Sequence, residues 1–214
     1  MERHELHVRR TARYWTLGPE TGARAIWIVC HGYGQLAGPF LEAFRHWDDG
    51  SRLVVAPEAL SRYYVDHAAR SVGATWMTSE ERLTDIADYV AYLDQVLDVV
   101  RPRAENSAPV RVLGFSQGTH TVARWVAFGR VQPAQVVLWG GGLPPDLDLG
   151  GPGKKLGACG LTIVLGRRDE NISAQAIARE RQRLDKHHTP YTLLWYDAGH
   201  RLDRETLRAL VDGA

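Results

Sequence analysis

Short apolar runs alternate with helix-patterned segments along most of this chain, and no other feature constrains its fold as tightly. Ala25–Cys30, Leu53–Ala56, Val110–Leu113, Gln135–Trp139, Leu161–Leu165 and Tyr191–Trp195 are rich in Val, Ile, Leu and Trp. Several are apolar at nearly every position, as expected of strands covered on both faces. Between them, Thr78–Arg101 reads as a long helix. Thr78 and Glu81 suggest a capping box, Leu83, Ile86, Ala87, Val90, Leu93, Leu97 and Val100 keep helical spacing, and Pro102 stops it. A shorter helix is expected from Pro39, with Phe40, Leu41, Phe44 and Trp47 turned inward. Gln117–Phe128, Ser173–Lys186 and Asp203–Val211 complete the set.

Strand–helix alternation of this kind predicts an α/β protein: a mostly parallel, doubly wound sheet with helices on both faces. At 214 residues the chain suits a single domain over 1–214. Glu5–Leu17 reads as one or two strands of looser pattern, an antiparallel edge being one arrangement open to it. Glu58–Met77 and Gly140–Gly160 read as loops longer than an α/β unit requires, either functional lids or surface insertions.

Composition narrows the classes. An apolar content of 44% excludes disorder, and two cysteines, Cys30 and Cys159, exclude a disulfide scaffold. A net charge of +1 provides no field to draw nucleic acid. The opening Met1–Arg10 has no apolar core, so no signal peptide is expected and the expected address is cytoplasmic. Ala25–Cys30, the longest purely apolar stretch, falls far short of the ~20 residues a membrane span needs, so no stable membrane insertion is expected.

Gly114-Phe115-Ser116-Gln117-Gly118 carries the chemistry. This composition would produce a G-x-S-x-G pattern by chance ~0.07 times in a chain of this length, so context must decide. The pentapeptide follows an expected strand and opens an expected helix, the strand–turn–helix setting that lifts a serine above a sheet. A serine hydroxyl needs a base. His200 lies after the last expected strand, in Asp197-Ala-Gly-His200. His120, one helical turn after Ser116, is expected to point away from it; His187 and His188 end a charged helix, and the remaining histidines lack context. The imidazole needs an acid to fix its tautomer. Asp169 directly follows the strand Leu161–Leu165, with Asp197 and Glu170 as rivals. The order Ser116, Asp169, His200 is that of α/β-hydrolases. Oxyanion donors are expected from the Gln117 amide and from His31-Gly32-Tyr33-Gly34-Gln35, which ends the strand Ala25–Cys30. The His31 ring is read as tied to backbone, and Cys30 as a small buried apolar residue.

Taken together, His31-Gly32…Gly34, Gly114-Phe-Ser-Gln-Gly118, an acid after the next-but-one strand and a late Gly-His pair resemble the phospholipase/carboxylesterase family of α/β-hydrolases, which includes the acyl-protein thioesterases. The resemblance runs from about Ala25 to the end. It implies a single-domain α/β-hydrolase fold, Ser116, Asp169 and His200 as a triad, and the Tyr33 and Gln117 amides as oxyanion donors. The chain departs from the family pattern at Gln35, Thr119, Met77, Thr78 and Leu165.

The expected function is hydrolysis of a small-molecule carboxylic ester through an acyl-enzyme, with no metal and no organic cofactor. Specificity is expected from Tyr63, Tyr64, Trp76 and Leu143, which suggest a smallish apolar acyl or alcohol group. The same triad would also serve thioester or amide cleavage or perhydrolysis, and a binding protein could keep the fold without the chemistry.

Overall fold

Side chains on alternate residues of a strand face opposite ways, so an apolar run buried on both faces must find cover on both. The computed structural model, which describes residues 1–212, meets that demand with two separate cores. Of the domain expected over 1–214, positions 213 and 214 lie outside the described residues. In β2 (Ala25–Cys30), Ile26, Ile28 and Cys30 enter one core while Trp27 and Val29 enter the other. β3 (Arg52–Pro57), β6 (Val110–Phe115), β7 (Gln135–Trp139) and β8 (Gly160–Gly166) divide their side chains in the same way.

Among the described residues seven strands form the main sheet, in the order β1-β3-β2-β6-β7-β8-β9, with β1 spanning Tyr14–Leu17 and β9 Thr192–Tyr196. Every pairing is parallel except β1 with β3, where Tyr14 faces Pro57. The looser strand signal thus resolves into one antiparallel edge strand confined to its last four residues. Helices α2 (Arg82–Val100) and α3 (Gln117–Phe128) cover the first core, with α4 (Ala174–Lys186) adding Leu184. The second core is covered by α1 (Ala37–Leu41), the 3₁₀ segment Glu42–Trp47 and α5 (Arg204–Asp212). Trp47 locks these together by donating its indole N–H to the Leu207 carbonyl at 3.1 Å.

Three local expectations are corrected. The helix expected from Thr78 begins at Arg82, and Glu81 sits in the left-handed region (φ 50°) with no side-chain cap. Asp85 accounts for the shift, because its carboxylate reaches back to the Thr78 N–H at 3.1 Å and replaces the capping box; Leu83 is left exposed. The helix expected from Pro39 is one α-turn followed by 3₁₀, although Phe40, Leu41, Phe44 and Trp47 are buried as expected. The segment read as a loop over Glu58–Met77 contains an antiparallel hairpin, β4 (Ser61–Asp66) and β5 (Ser71–Thr75). Its connection, His67–Arg70, carries no Asn-Gly or Asp-Gly signal, and β4 is largely exposed, so it lacks the apolar alternation that marks a strand.

The hairpin matters because it is fastened to the loop after β2. Gly34 N–H donates to the Ala74 carbonyl at 2.9 Å, and Ala74 N–H returns to the Gln35 carbonyl at 3.2 Å. This contact needs Gly73: a Cβ there would lie 2.3 Å from the Gly34 carbonyl oxygen.

Candidate active site

Ser116 sits between β6 and α3 with φ 52° and ψ −116°, a conformation that L residues rarely adopt and that must be held by its surroundings. Its N–H donates to the Trp139 carbonyl at 2.8 Å, and its carbonyl accepts from the Thr119 hydroxyl at 2.8 Å. The two glycines of the pentapeptide are required by packing. A Cβ on Gly114 would lie 2.1 Å from the Gly118 carbonyl oxygen, and one on Gly118 would lie 2.2 Å from that of Cys30. Strand, turn and helix can close on one another only with both side chains missing.

Asp169 and His200 meet from the ends of neighbouring strands, β8 and β9. Asp169 Oδ2 lies 2.7 Å from His200 Nδ1, and the Asp169 side chain is 0% exposed against 24% for the imidazole. The other carboxylate oxygen accepts the Asn171 N–H at 2.9 Å, which fixes the plane of the group. A carboxylate facing Nδ1 makes that nitrogen the donor and leaves the lone pair on Nε2. The Phe115 ring packs 5.0 Å from the imidazole, and Gly140 (φ 64°) passes close enough that a Cβ would lie 3.1 Å from His200 Cε1. The rival Asp197 faces solvent with its side chain 81% exposed, 3.3 Å from Arg168.

Ser116 and His200 line one cavity of about 1090 Å³, together with Gly32, Tyr33, Gln117 and Leu143. The amides expected as oxyanion donors flank it. Gln117 is the first residue of α3, so its N–H has no acceptor within the helix. The Tyr33 N–H makes no backbone hydrogen bond among the described residues.

Behind the Tyr33 loop stand the side chains of Gln35 and Gln117, to which the sequence assigns no role, together with Trp76, expected to set specificity, and His31, expected to bond backbone. Gln35 accepts the Gly32 N–H at 2.7 Å. Gln117 accepts the Trp76 N–H at 3.1 Å and donates to the Thr75 hydroxyl and the Met77 carbonyl at 2.9 and 3.0 Å. Trp76 donates its indole N–H to the His31 carbonyl at 2.9 Å. His31 is buried, with Nδ1 2.8 Å from the Gly32 carbonyl oxygen and Nε2 accepting the Ala59 N–H at 3.1 Å. Burial holds its pKa below the ordinary histidine value, in keeping with a neutral ring bonded on both sides. A polar residue in a Gly-rich turn is the one local signal that pointed toward this bracing.

The expected specificity residues separate. Leu143 lines the cavity; Tyr63, Tyr64 and Trp76 are not among its lining residues. Trp76 is buried against His31, their rings 5.1 Å apart, because its indole N–H is spent on bracing the loop. Tyr63 stacks on the exposed Tyr33 at 5.4 Å, and Tyr64 lies outward on the hairpin against His67. His120, expected to point away from Ser116, lines the same cavity. Desolvation, aided by nearby Arg124, lowers its pKa to about 4, so its ring is neutral there. Among the described residues no three His, Cys, Asp or Glu side chains cluster as metal ligands would, and no helix is long and apolar enough to cross a membrane.

A seven-stranded, mostly parallel sheet with a serine on a strained strand–helix turn and a His–carboxylate pair beside it defines the α/β-hydrolase fold. No family model and no curated relative matches the sequence. Solved structures do. The chain is similar to acyl-protein thioesterase 2 of Zea mays, with TM-score 0.69 and 15% identity over 94% of this chain and 99% of that one. It is likewise similar to a Bacillus cereus carboxylesterase, with TM-score 0.67 and 14% identity over 94% and 92% of the two chains. A phospholipase/carboxylesterase of Dyadobacter fermentans matches with TM-score 0.67 and 14% identity over 96% and 97%. The fold is therefore the one these esterase and thioesterase structures share.

Proposed function

We propose that this protein is a serine hydrolase that cleaves carboxylic esters through an acyl-enzyme. The observation that carries the reading is the pairing of buried Asp169 with His200 at 2.7 Å, the imidazole opening on the cavity that Ser116 also lines. With Asp169 on Nδ1, His200 Nε2 takes the proton as Ser116 Oγ attacks the ester carbonyl. The tetrahedral oxyanion is held by the Gln117 and Tyr33 amides, each contributing roughly 2.7–4 kcal/mol by comparison with similar donors. His200 then protonates the leaving alcohol. A water molecule, deprotonated by the same nitrogen, attacks the acyl carbonyl and releases the acid and Ser116. Asp169 orients the ring and stabilises the imidazolium without itself taking a proton.

The fold shared with carboxylesterase and thioesterase structures supports hydrolysis of this class. A fluorophosphonate probe should label the protein at Ser116, as located by peptide mass analysis, and ester turnover should fall in proportion to the fraction labelled. Absence of labelling in protein of native stability would overturn the assignment of the nucleophile.

A further inference from the structure

The cavity continues past Ser116 and His200 beneath α4, where Ile163, Leu165, Ile172, Ile177 and Leu193 wall it. This space exists because α4 stands off the sheet: of its thirteen residues only Leu184 is buried. Polar ties to the segment after β7 hold the helix in place instead. Glu180 accepts the Leu143 N–H at 2.6 Å, and Arg183 donates to the Leu147 carbonyl.

Charge on this wall is unbalanced. Arg179, Arg181 and Arg183 line the cavity, and Glu180 is the one carboxylate among its described lining residues. That carboxylate is already engaged by Leu143 N–H and lies 3.5 Å from Arg183. Burial also raises the Glu180 pKa, which weakens it as a counter-ion. Arg181 is taken up by the Tyr191 hydroxyl at 3.3 Å. Arg179 is exposed, and among the described residues no hydrogen bond or ion pair engages its guanidinium. His120, also among the lining residues, is neutral and adds no charge of either sign. With a net charge of only +1 on the whole chain, this cationic excess is local. An exposed guanidinium on the wall of a largely apolar cavity suits a carboxylate, which it can engage with two parallel N–H donors.

We propose that the ester cleaved at Ser116 carries a carboxylate on the part of the substrate that lies beneath α4. Its apolar spacer runs along Ile163, Leu165 and Leu193, and its charge meets Arg179. The preferred substrates are thus half-esters of dicarboxylic acids. The proposal rests on the esterase reading above and names the substrate class for that same site.

The test compares methyl hexanoate with monomethyl adipate, nearly isosteric esters that differ in a terminal carboxylate, by acid release in a pH-stat. The wild type should favour the half-ester in kcat/KM by roughly fivefold, the scale of an exposed ion pair. That preference should shrink as salt is added. Arg179→Gln should bring the ratio of the two kcat/KM values close to one, chiefly through KM for the half-ester, and Arg179→Lys should restore part of it. A wild-type ratio at or below one would overturn the proposal, as would a ratio unchanged in Arg179→Gln; in either case turnover of methyl hexanoate leaves the esterase reading standing. If neither ester is turned over, the esterase reading itself falls and takes the proposal with it.

Discussion

The side-chain oxygen of Gln117 accepts the main-chain N–H of Trp76 at 3.1 Å, and this bond joins the serine turn to the segment that leaves the β4–β5 hairpin. Trp76 in turn braces the His31 carbonyl, so hydrogen bonds run from the serine turn to the loop that carries Tyr33. Gln117 thus contributes its backbone N–H on one side and its side chain on the other. Loss of the side chain should be felt in stability as well as in rate. Gln117→Ala leaves the N–H of a buried Trp76 without a partner and is expected to cost about 1–3 kcal/mol. Urea denaturation of the two proteins, with the slope compared as well as the midpoint, measures it.

Ser116→Ala should reduce kcat by about 10⁶, as removal of a triad serine does elsewhere. The backbone strain at this position is common to Ser and Ala, so the variant should keep the thermal midpoint of the wild type within a few degrees. Residual activity above a few per cent in a pure sample would mean that another group attacks the ester.

The acid can be assigned by a pair of isosteric changes. Asp169→Asn keeps an oxygen for the Asn171 N–H and so turns its NH2 donor toward His200 Nδ1, which favours the unproductive tautomer, with a loss in kcat of roughly 10⁴. Asp197→Asn alters an exposed carboxylate beside Arg168 and should cost less than about tenfold, in line with the small worth of surface ion pairs. The reverse ranking of the two variants would shift the assignment to Asp197.

His120 makes stability depend on pH. Its pKa is lowered from 6.5 to about 4 in the folded chain by desolvation, with Arg124, Arg183 and Arg82 adding repulsion and Asp146 opposing them. The folded pKa lies below the unfolded one, so the unfolded chain binds a proton first as pH falls. Stability is therefore full above pH 6.5 and declines as pH falls toward 4, by up to about 3 kcal/mol from this group. His31 acts in the same direction. His120→Gln should flatten the dependence in part, as urea midpoints taken above and within that window would show. An unchanged slope in the variant would mean that His120 is already protonated in the folded protein or titrates normally.

Much of this molecule is legible along the chain. Runs such as Ala25–Cys30 and Gln135–Trp139 coincide with their strands because an apolar residue at every position can be buried only in a sheet covered on both sides. The Gly114–Gly118 turn is legible too: Gly114 answers a contact with Gly118 in the same turn, while Gly118 answers one with Cys30 on the adjacent strand β2. Side-chain partners chosen by tertiary contact are less legible. Asp85 displaced the cap expected at Thr78, and Trp76 turned inward to brace His31 instead of lining the cavity. The hairpin over Ser61–Thr75 left no apolar alternation because much of it faces solvent; main-chain bonds to Gly34 and Gln35 hold it, and those carry no side-chain signature. The chain by itself determined the layered sheet and the strained serine turn, because burial and chain geometry act over a few residues. Only the tertiary structure decided that Asp169 faces His200 while Asp197 faces water, and that α4 stands away from β8 and β9. Those outcomes depend on which strand ends become neighbours, a relation between residues far apart in sequence that no local pattern encodes.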